Sequence, residues 1–503
     1  MTVSSSQLST LQSTLVQHEQ EHLLEFWDVL TPDQRLDLFT DLASIDFEER
    51  RRSFTACSTE EPKSDKEMDL QALPDEFCES VNESQVNNER WTSIGLKEIS
   101  EGKTAMLLLA GGQGTRLGVP YPKGMFKVGL PSGKSLYQLQ AERISRQRTL
   151  AEKMYGTSKP LPWYIMTSEQ TKEPTIDFFK TNNWFGLEEE NIVFFEQEML
   201  PCVDFSGKLM LQDKFSVARA PGGNGDLYRA MGKEGVIDDM HERGIRSIHM
   251  YCVDNILVKM PDPLFIGCCL ERGSDCGAKV VRKTLPTEPV GVICQCEGRL
   301  KVVEYSEITT EAANLRNADG KLAFSQGSIC IHYFTLDFLK RMVNSNESEL
   351  IHHIAKKKIT CVNKDGESVT PDKPNGIKME KFVFDVFRFS ERFTALEVPR
   401  ESEFSPLKNG AGSAKDNQVT CLSSVSRLHK AWVEAAGGEF VIRGGEENVE
   451  VSPTLSSNGE DLEDLVQGKK FSYPLHLSSG YSNVNGHENG HINKHANGFN
   501  SKL

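Results

Sequence analysis

No stretch of eighteen apolar residues occurs in this sequence, so no segment is long and apolar enough to span a bilayer as a helix. The first twenty residues lack an apolar core, which argues against a secretory signal. Without secretion, Asn82-Glu83-Ser84 and Asn346-Glu347-Ser348 carry no expectation of glycosylation. Positive charge is scarce: 57 Lys and Arg stand against 72 Asp and Glu, a net of −15. A long nucleic-acid groove needs a concentrated basic face, and that balance excludes nucleic acid as a partner. A small polyanion stays open, because a few local cations suffice to hold one. Twelve cysteines occur but never as Cys-x-x-Cys; Cys268-Cys269, Cys276 and Cys294-x-Cys296 are the nearest groupings. A zinc site or redox dithiol is therefore not expected, and unpaired thiols fit a reducing compartment. No internal repeat is present.

What is present is an ordinary mix, 38% apolar and 26% charged, over 503 residues. That length calls for two to four domains. Residues 1–55 read as helical: Leu23, Leu24, Phe26, Trp27 and Leu30 cluster at helical spacing, and Thr31-Pro32-Asp33-Gln34 supplies an N-cap, a proline at the first helical position and a glutamine at the third. Residues 56–90 are polar and read as a linker with little structure of their own. From Thr104 short apolar runs alternate with helical segments. Strands are expected at 105–109, 163–166, 192–195 and 247–253, with helices at 135–154, 175–179 and 236–242. This alternation predicts a doubly wound α/β sheet with ligands at the carboxyl ends of its strands. Further strands at 278–282, 290–294 and 301–305 read as antiparallel additions. The division that follows is 1–98 as a helical region and linker, 99–400 as the central domain, 401–475 as a small α+β lobe and 476–503 as a disordered tail.

The most informative segment is Ala110-Gly111-Gly112-Gln113-Gly114-Thr115-Arg116-Leu117-Gly118, directly after a buried strand. Glycines let backbone amides approach a phosphate, and Arg116 adds a bidentate fork. Two familiar phosphate motifs fail here. The dinucleotide fingerprint needs glycine at 117, where leucine stands, and Gly129-Leu-Pro-Ser-Gly133-Lys134-Ser135 has three residues between its glycines where the P-loop has four. A plain glycine turn stays open for the loop alone. Tyr121-Pro122-Lys123-Gly124, seven residues past Arg116, shifts the balance: arginine and lysine on one loop suit a triphosphate being split.

The run from Leu108 to Gly118 followed by Tyr121-Pro122-Lys123-Gly124 resembles the eukaryotic UDP-N-acetylglucosamine pyrophosphorylases. The resemblance continues in order through Pro162-Trp163-Tyr164-Ile165-Met166-Thr167-Ser168, Glu196-Gln197, Met199-Leu200-Pro201, Tyr251-Cys252-Val253-Asp254-Asn255, Glu288-Pro289-Val290-Gly291 and Val302-Val303-Glu304-Tyr305-Ser306-Glu307. It ends with Lys373-Pro374-Asn375-Gly376-Ile377-Lys378-Met379-Glu380-Lys381 and Phe404-Ser405-Pro406-Leu407-Lys408-Asn409. It implies a GT-A-like Rossmann nucleotidyltransferase core. The implied reaction joins UTP and an N-acetylhexosamine 1-phosphate into a UDP-sugar and pyrophosphate, with magnesium or manganese as cofactor.

By that resemblance Arg116 meets the β- and γ-phosphates and Lys123 the charge building on the α-phosphate. Ala110, Gly111, Gly112, Gln113 and Gly114 line the nucleotide with Gly223 and Lys378, and Gln197 contacts uracil. Asp254 holds the metal; read without the resemblance, Asp254-Asn255 is a turn cap. Asn224, Gly291, Glu304, Ser328 and Lys408 face the sugar phosphate. Glu304 by itself reads as a solvent-facing strand glutamate, and Lys378 and Lys408 as surface lysines. Three positions depart from the family: it carries aspartate at Gly222, glycine at Asp226 and asparagine at Ser328. Two functions follow, an active pyrophosphorylase or a diverged paralogue that binds UDP-sugar in a regulatory role. A dehydrogenase is disfavoured by the failed fingerprint. The expected assembly is a monomer or homodimer, and the expected compartment is the cytosol. Ser501-Lys502-Leu503 matches a peroxisomal address and implies at most partial import. His487, His491 and His495 have metal-like spacing in a glycine- and asparagine-rich tail and are not expected to bind an ion.

Overall fold

The chain is described by a computed structural model that covers residues 2–59, 69–441 and 447–479. Three helices come first: α1 (Ser5–Gln17), α2 (Pro32–Ala43) and α3 (Phe47–Thr59). The box at Thr31 forms as its sequence dictates: Gln34 N donates to Thr31 Oγ1 at 3.3 Å and Thr31 N to Gln34 Oε1 at 3.0 Å. The apolar cluster 23–30 is not one α-helix as expected. It folds as two 3-10 turns, Glu21–Leu24 and Trp27–Val29, that bury Leu23 and Trp27.

The segment 69–100 is not the unstructured linker that its polarity suggested. It supplies β1 (Leu70–Ala72), β2 (Cys78–Ser80) and α4 (Gln85–Ser100), and both strands join the central sheet. Polar residues 84–90 begin the helix: Ser84 caps it through Asn87 N at 3.2 Å, while Trp91, Leu96 and Ile99 bury its apolar side.

The core follows with β3 (Thr104–Leu109), α5 (Leu136–Tyr155), β4 (Trp163–Thr167), α6 (Lys172–Thr181), β5 (Ile192–Glu196), the hairpin β6 (Met199–Pro201) and β7 (Arg219–Pro221), α7 (Leu227–Lys233), α8 (Val236–Glu242), β8 (Ser247–Cys252), α9 (Pro263–Glu271), β9 (Cys276–Arg282), β10 (Val292–Cys296), β11 (Arg299–Val303) and β12 (Gln326–Thr335). Then come β13 (His353–Lys357), β14 (Cys361–Val362), β15 (Ser368–Val369), β16 (Gly376–Glu380) and β17 (Phe393–Glu397). Eleven strands form one mixed sheet whose spine runs β2-β17-β9-β12-β8-β3-β4-β5. Within it β5-β4-β3-β8 are parallel, in the order third, second, first, fourth along the chain. The order reverses between β3 and β8, and a ligand crevice is expected outside the carboxyl ends at such a point.

The alternation of β3 decides which side chain goes where. Leu107 and Leu109 pack with Tyr164, Met166 and Met250 toward α7, α8 and Phe387. Met106 and Leu108 pack with Trp163, Ile165 and Tyr251 toward α4, α5, α6 and α9. With both faces covered, the strand is a continuous apolar run. The N-terminal helices bury a separate cluster against Leu209, Leu211, Val217, Ile377 and Met379. At the other end the helix Gln418–Ala435 packs with the parallel pair Val449–Val451 and Leu475–Leu477. Ordered strand therefore extends past residue 475, and the start assigned to the tail is corrected; 480–503, with the three histidines and Ser501-Lys502-Leu503, lie outside the described residues.

Candidate functional site

The glycine loop leaves β3 at the switch point. Ala110 is buried with its N–H on Met166 O at 2.8 Å, while Gly112 and Gln113 are exposed. The loop is closed by Gly114 N to Tyr121 O at 3.1 Å and by Lys123 N to Gly112 O at 3.4 Å. A second side of the crevice is held by Ser168, whose Oγ donates to Gly111 O at 3.0 Å, and by Gln170, which pairs with the Gln113 amide. Gln197 is buried, and a side chain at Gly111 would collide with its amide. Glycine at 111 is therefore what lets Gln197 reach the loop.

Asp254 stands just past β8, across the crevice from the loop. Its carboxylate lies 3.9 Å from Lys123 Nζ, and both side chains are partly exposed. The Asp-Asn pair divides its work. Asn255 does the capping, accepting from Ser405 N at 3.0 Å and donating to Glu403 O at 2.7 Å. The Asp254 side chain takes no backbone hydrogen bond among the described residues, which leaves it facing Lys123. Its main-chain oxygen accepts Leu407 N at 2.9 Å, and this places Lys408 at the same rim. Arg116 is exposed and has no ion-pair partner among the described residues.

The residues expected to face the sugar phosphate come from five separate segments. Ser328 N donates to Gly291 O at 2.8 Å, and a side chain at Gly291 would come within 2.9 Å of Glu304 Oε1. Glu304 sits one residue beyond β11 and not inside a strand as expected. Burial raises its carboxyl above the usual range, the neighbouring Glu307 adds to this, and Lys408 opposes it. Lys408 is thus within electrostatic reach of Glu304. Gly223, with φ +87°, lets the backbone fold against Lys381, and Asn224 Oδ1 accepts Val383 N at 3.0 Å.

Lys378 is not brought to the glycine loop by any hydrogen bond or ion pair among the described residues. It lies on β16, whose neighbour Ile377 bonds Val203. Gly222 and Asp226 sit side by side: a Cβ at 222 would lie 3.4 Å from Asp226 Cβ, and Asp226 Oδ2 accepts Glu198 N at 2.5 Å. The carboxylate at 226 therefore works in the space next to position 222. Burial pushes its pKa up to about 6.

One cluster was missed from the sequence. His353 Nε2 lies 3.0 Å from Asp385 Oδ2, its Nδ1 lies 3.7 Å from Glu307, and its ring packs on Phe382. Burial opposes its charging, but the Asp385 and Glu307 carboxylates prevail and raise it to about 9. Nothing in His352-His353 signals which histidine is the ion-paired one; the partners lie 46 and 32 positions away. Cys252 and Cys330, both free thiols, also meet here with 3.1 Å between sulfurs.

Geometrically this is a crevice with exposed loop residues, an arginine with no ion-pair partner among the described residues, a lysine beside a carboxylate, and a further group of polar residues at Glu304 and Ser328. Among the described residues no group of three or more His, Cys, Asp or Glu gathers to hold a metal, so a cation at Asp254 needs further oxygens from a ligand. None of the described helices is long and apolar enough to cross a membrane.

Comparison with known proteins converges on one chemistry. The UTP–glucose-1-phosphate uridylyltransferase family matches residues 45–428. The chain is 48% identical over 479 residues to the human UDP-N-acetylhexosamine pyrophosphorylase-like protein 1, covering 91% of this chain and 94% of that one. It is 39% identical to the UDP-N-acetylglucosamine pyrophosphorylase of Saccharomyces cerevisiae, covering 90% and 96%. The crystal structure of the Trypanosoma brucei uridine diphosphate N-acetylglucosamine pyrophosphorylase superposes with a TM-score of 0.77 at 29% identity, covering 92% and 95%.

Proposed function

The chain belongs to the UTP–glucose-1-phosphate uridylyltransferase family, and we propose that it transfers the uridylyl group of UTP to N-acetylglucosamine 1-phosphate or N-acetylgalactosamine 1-phosphate. The observation that carries this reading is the Lys123–Asp254 pair, 3.9 Å apart beside the glycine loop at the switch point. We assign the sugar to the wall formed by Gly291, Glu304 and Ser328. To the same reading belong a GT-A-like Rossmann core and the division into a central domain at 99–400 and a small lobe at 401–475.

A phosphate oxygen of the sugar phosphate attacks the α-phosphorus of UTP. The new P–O bond forms as the bond to the β-phosphate oxygen breaks, and pyrophosphate leaves with that electron pair. No covalent nucleophile is needed, so catalysis rests on positioning and charge. Backbone amides from Ala110 to Gly114 cradle the nucleotide, with Gln197 against uracil and Gly223 admitting a close approach. Arg116 neutralises the leaving pyrophosphate. Lys123 stabilises the charge that grows on the α-phosphate. Asn224, Gly291, Glu304 and Ser328 orient the sugar, and Lys408 draws its phosphate toward Asp254. Lys378 enters only from the neighbouring β13–β16 ribbon and serves the bound nucleotide at longer range.

Asp254 suits magnesium or manganese. A single carboxylate free of backbone hydrogen bonds matches an ion that completes its shell with phosphate oxygens and water. Such an ion, when bound, supplies charge neutralisation on the phosphates. The compartment assigned is the cytosol, with at most partial peroxisomal import through Ser501-Lys502-Leu503; a fluorescent protein carrying this tail that never meets peroxisomes removes the import.

The test is pyrophosphate release from UTP, N-acetylglucosamine 1-phosphate and magnesium. Release at ordinary enzyme rates, on the order of 1–10³ per second, supports the assignment. Binding of UDP-N-acetylglucosamine without release from either hexosamine phosphate would instead establish the diverged, regulatory paralogue.

A further inference from the structure

A cavity of about 350 Å³ lies away from the crevice, and no residue assigned above lines it. One wall is α4, presenting Asn88, Thr92 and Leu96 at helical spacing; the opposite wall is α5, presenting Arg143, Gln147 and Leu150. The floor is the turn before α9 with Lys259 and Met260, and the lip is Ser457 and Asn458 of the C-terminal lobe. The volume lies within the range of small-molecule sites, roughly 300–1,000 Å³. Most of the lining is apolar.

Charge is unevenly settled around this space. Its three carboxylates are already paired: Asp262 with Lys279, Glu403 with Lys259 at 3.1 Å and with Lys279 at 2.8 Å, and Glu460 with Arg146 at 3.0 Å. Arg143 is the exception. Its guanidinium has no carboxylate partner among the described residues and is held by one main-chain oxygen, Ile256 O, at 2.7 Å. Burial pushes it down to about 10. The guanidinium is half-buried, and its remaining donors have no hydrogen-bond partner among the described residues, which leaves them available to a ligand in the cavity. In the same walls Asn88 Oδ1 and Gln147 Oε1 are buried with no hydrogen-bond partner among the described residues.

We propose that this cavity is a second ligand site, for a small amphipathic anion whose carboxylate or phosphate pairs with Arg143 and whose apolar body lies between α4 and α5. The site has a mechanical link to the crevice. Ile256 lies two residues after Asp254, and Asn255 donates to Glu403 O, so the groups that frame the cavity also hold the Asp254 turn. A ligand that draws the guanidinium off Ile256 O loosens that turn, and occupancy lowers turnover. Only this last effect rests on the role given to Asp254.

The experiment titrates phenylacetate and phenyl phosphate into the full-length chain by calorimetry, with saturating UDP-N-acetylglucosamine filling the crevice. Benzyl alcohol is the neutral control. The expected result is a 1:1 complex with at least one of the two anions, roughly tenfold tighter than the control, equivalent to about 1.4 kcal/mol. The two anions distinguish a carboxylate from a phosphate ligand. Thr92→Phe fills the space and abolishes binding without changing turnover in the absence of probe. Arg143→Gln keeps a donor for Ile256 O and erases the preference for anions over benzyl alcohol. Binding of neither anion, equal binding of the neutral control, or binding that survives Thr92→Phe overturns the site. Binding that leaves turnover unchanged overturns the link to Asp254 and spares the site. Because binding is read without catalysis, failure of the proposed transferase activity is distinguishable from failure of this inference.

Discussion

The two sides of the crevice, the one proposed for the nucleotide and the one proposed for the sugar, are built on opposite plans. The nucleotide side is one continuous loop, Ala110 to Lys123, closed by its own backbone hydrogen bonds and left open to solvent at Gly112, Gln113 and Arg116. The sugar side has no loop of its own. It collects Asn224, Gly291, Glu304 and Ser328 from separate segments, with Asn224 held by Val383 N and Ser328 N bonded to Gly291 O. Local closure lets the phosphate-handling residues keep their geometry while the rest of the chain changes. A wall assembled from distant pieces shifts when any one piece does. Of the three departures only Ser328 falls on that wall; Gly222 and Asp226 pack against Glu198, the neighbour of Gln197.

The contrast breaks first, and most visibly, on the nucleotide side. Arg116→Ala and Lys123→Ala should each lower kcat by ~10²–10³ with much smaller changes in KM, because a preorganised donor acts chiefly on developing charge. Steady-state kinetics with both substrates decide this, and a wild-type kcat in either variant removes that residue from the chemistry. Asp254→Asn should raise the magnesium needed for half-maximal rate by about tenfold, the cost of turning a charged ligand into a neutral one. A magnesium titration that superposes on the wild type excludes Asp254 as the metal ligand.

On the sugar side the largest effect is in stability. His353 in the fold holds its proton up to about 9, against an ordinary value of 6.5. The folded chain therefore keeps a proton that the unfolded chain releases between those limits. The stabilisation is fully present below pH 6.5 and is lost as pH rises through 9. At about 1.4 kcal/mol per unit the whole window is worth on the order of 3 kcal/mol. Thermal unfolding from pH 6 to 10 should show the wild type losing stability across that range more steeply than His353→Gln. Parallel profiles would mean that Asp385 and Glu307 do not hold the charge.

Legibility in the sequence followed the same division. The nucleotide loop was readable because strand, glycines and cations are contiguous, and α8 was readable to the residue because its apolar period is clean. The strands β1 and β2 were not, since three-residue strands in a polar stretch carry no period. α4 hid because its first turn is polar apart from the exposed Val86, and its buried residues begin only at Trp91. Glu304 was placed inside a strand because β11 ends two residues earlier than its apolar run suggests. His353 needed tertiary structure altogether: its partners come from a loop after β11 and from the turn Val383–Phe389.

The smallest effect concerns Ser328, the one departure whose side chain can be restored without disturbing a buried carboxylate. Its backbone is fixed by Gly291 O at 2.8 Å, and its side chain is half-buried on β12, next to a bulge in which Cys330 takes φ +55°. A serine hydroxyl reaches less far than an asparagine amide and offers one donor where the amide has two donors and an acceptor. The contact that the family resemblance implies is therefore lost or bridged by water. A neutral hydrogen bond contributes roughly 0.5–1.5 kcal/mol, equivalent to about a 2- to 10-fold change in the hold on the sugar phosphate. Because Arg116 and Lys123 are untouched, the loss belongs in KM and not in kcat. It also widens substrate choice, since a wall with fewer polar demands rejects analogues less. Ser328→Asn should lower KM for N-acetylglucosamine 1-phosphate by that factor, leave kcat nearly unchanged and sharpen discrimination between hexosamine phosphates. If KM for every sugar phosphate stays where it was, Ser328 does not face the sugar, and the sugar wall must be sought around Asn224 and Glu304 alone.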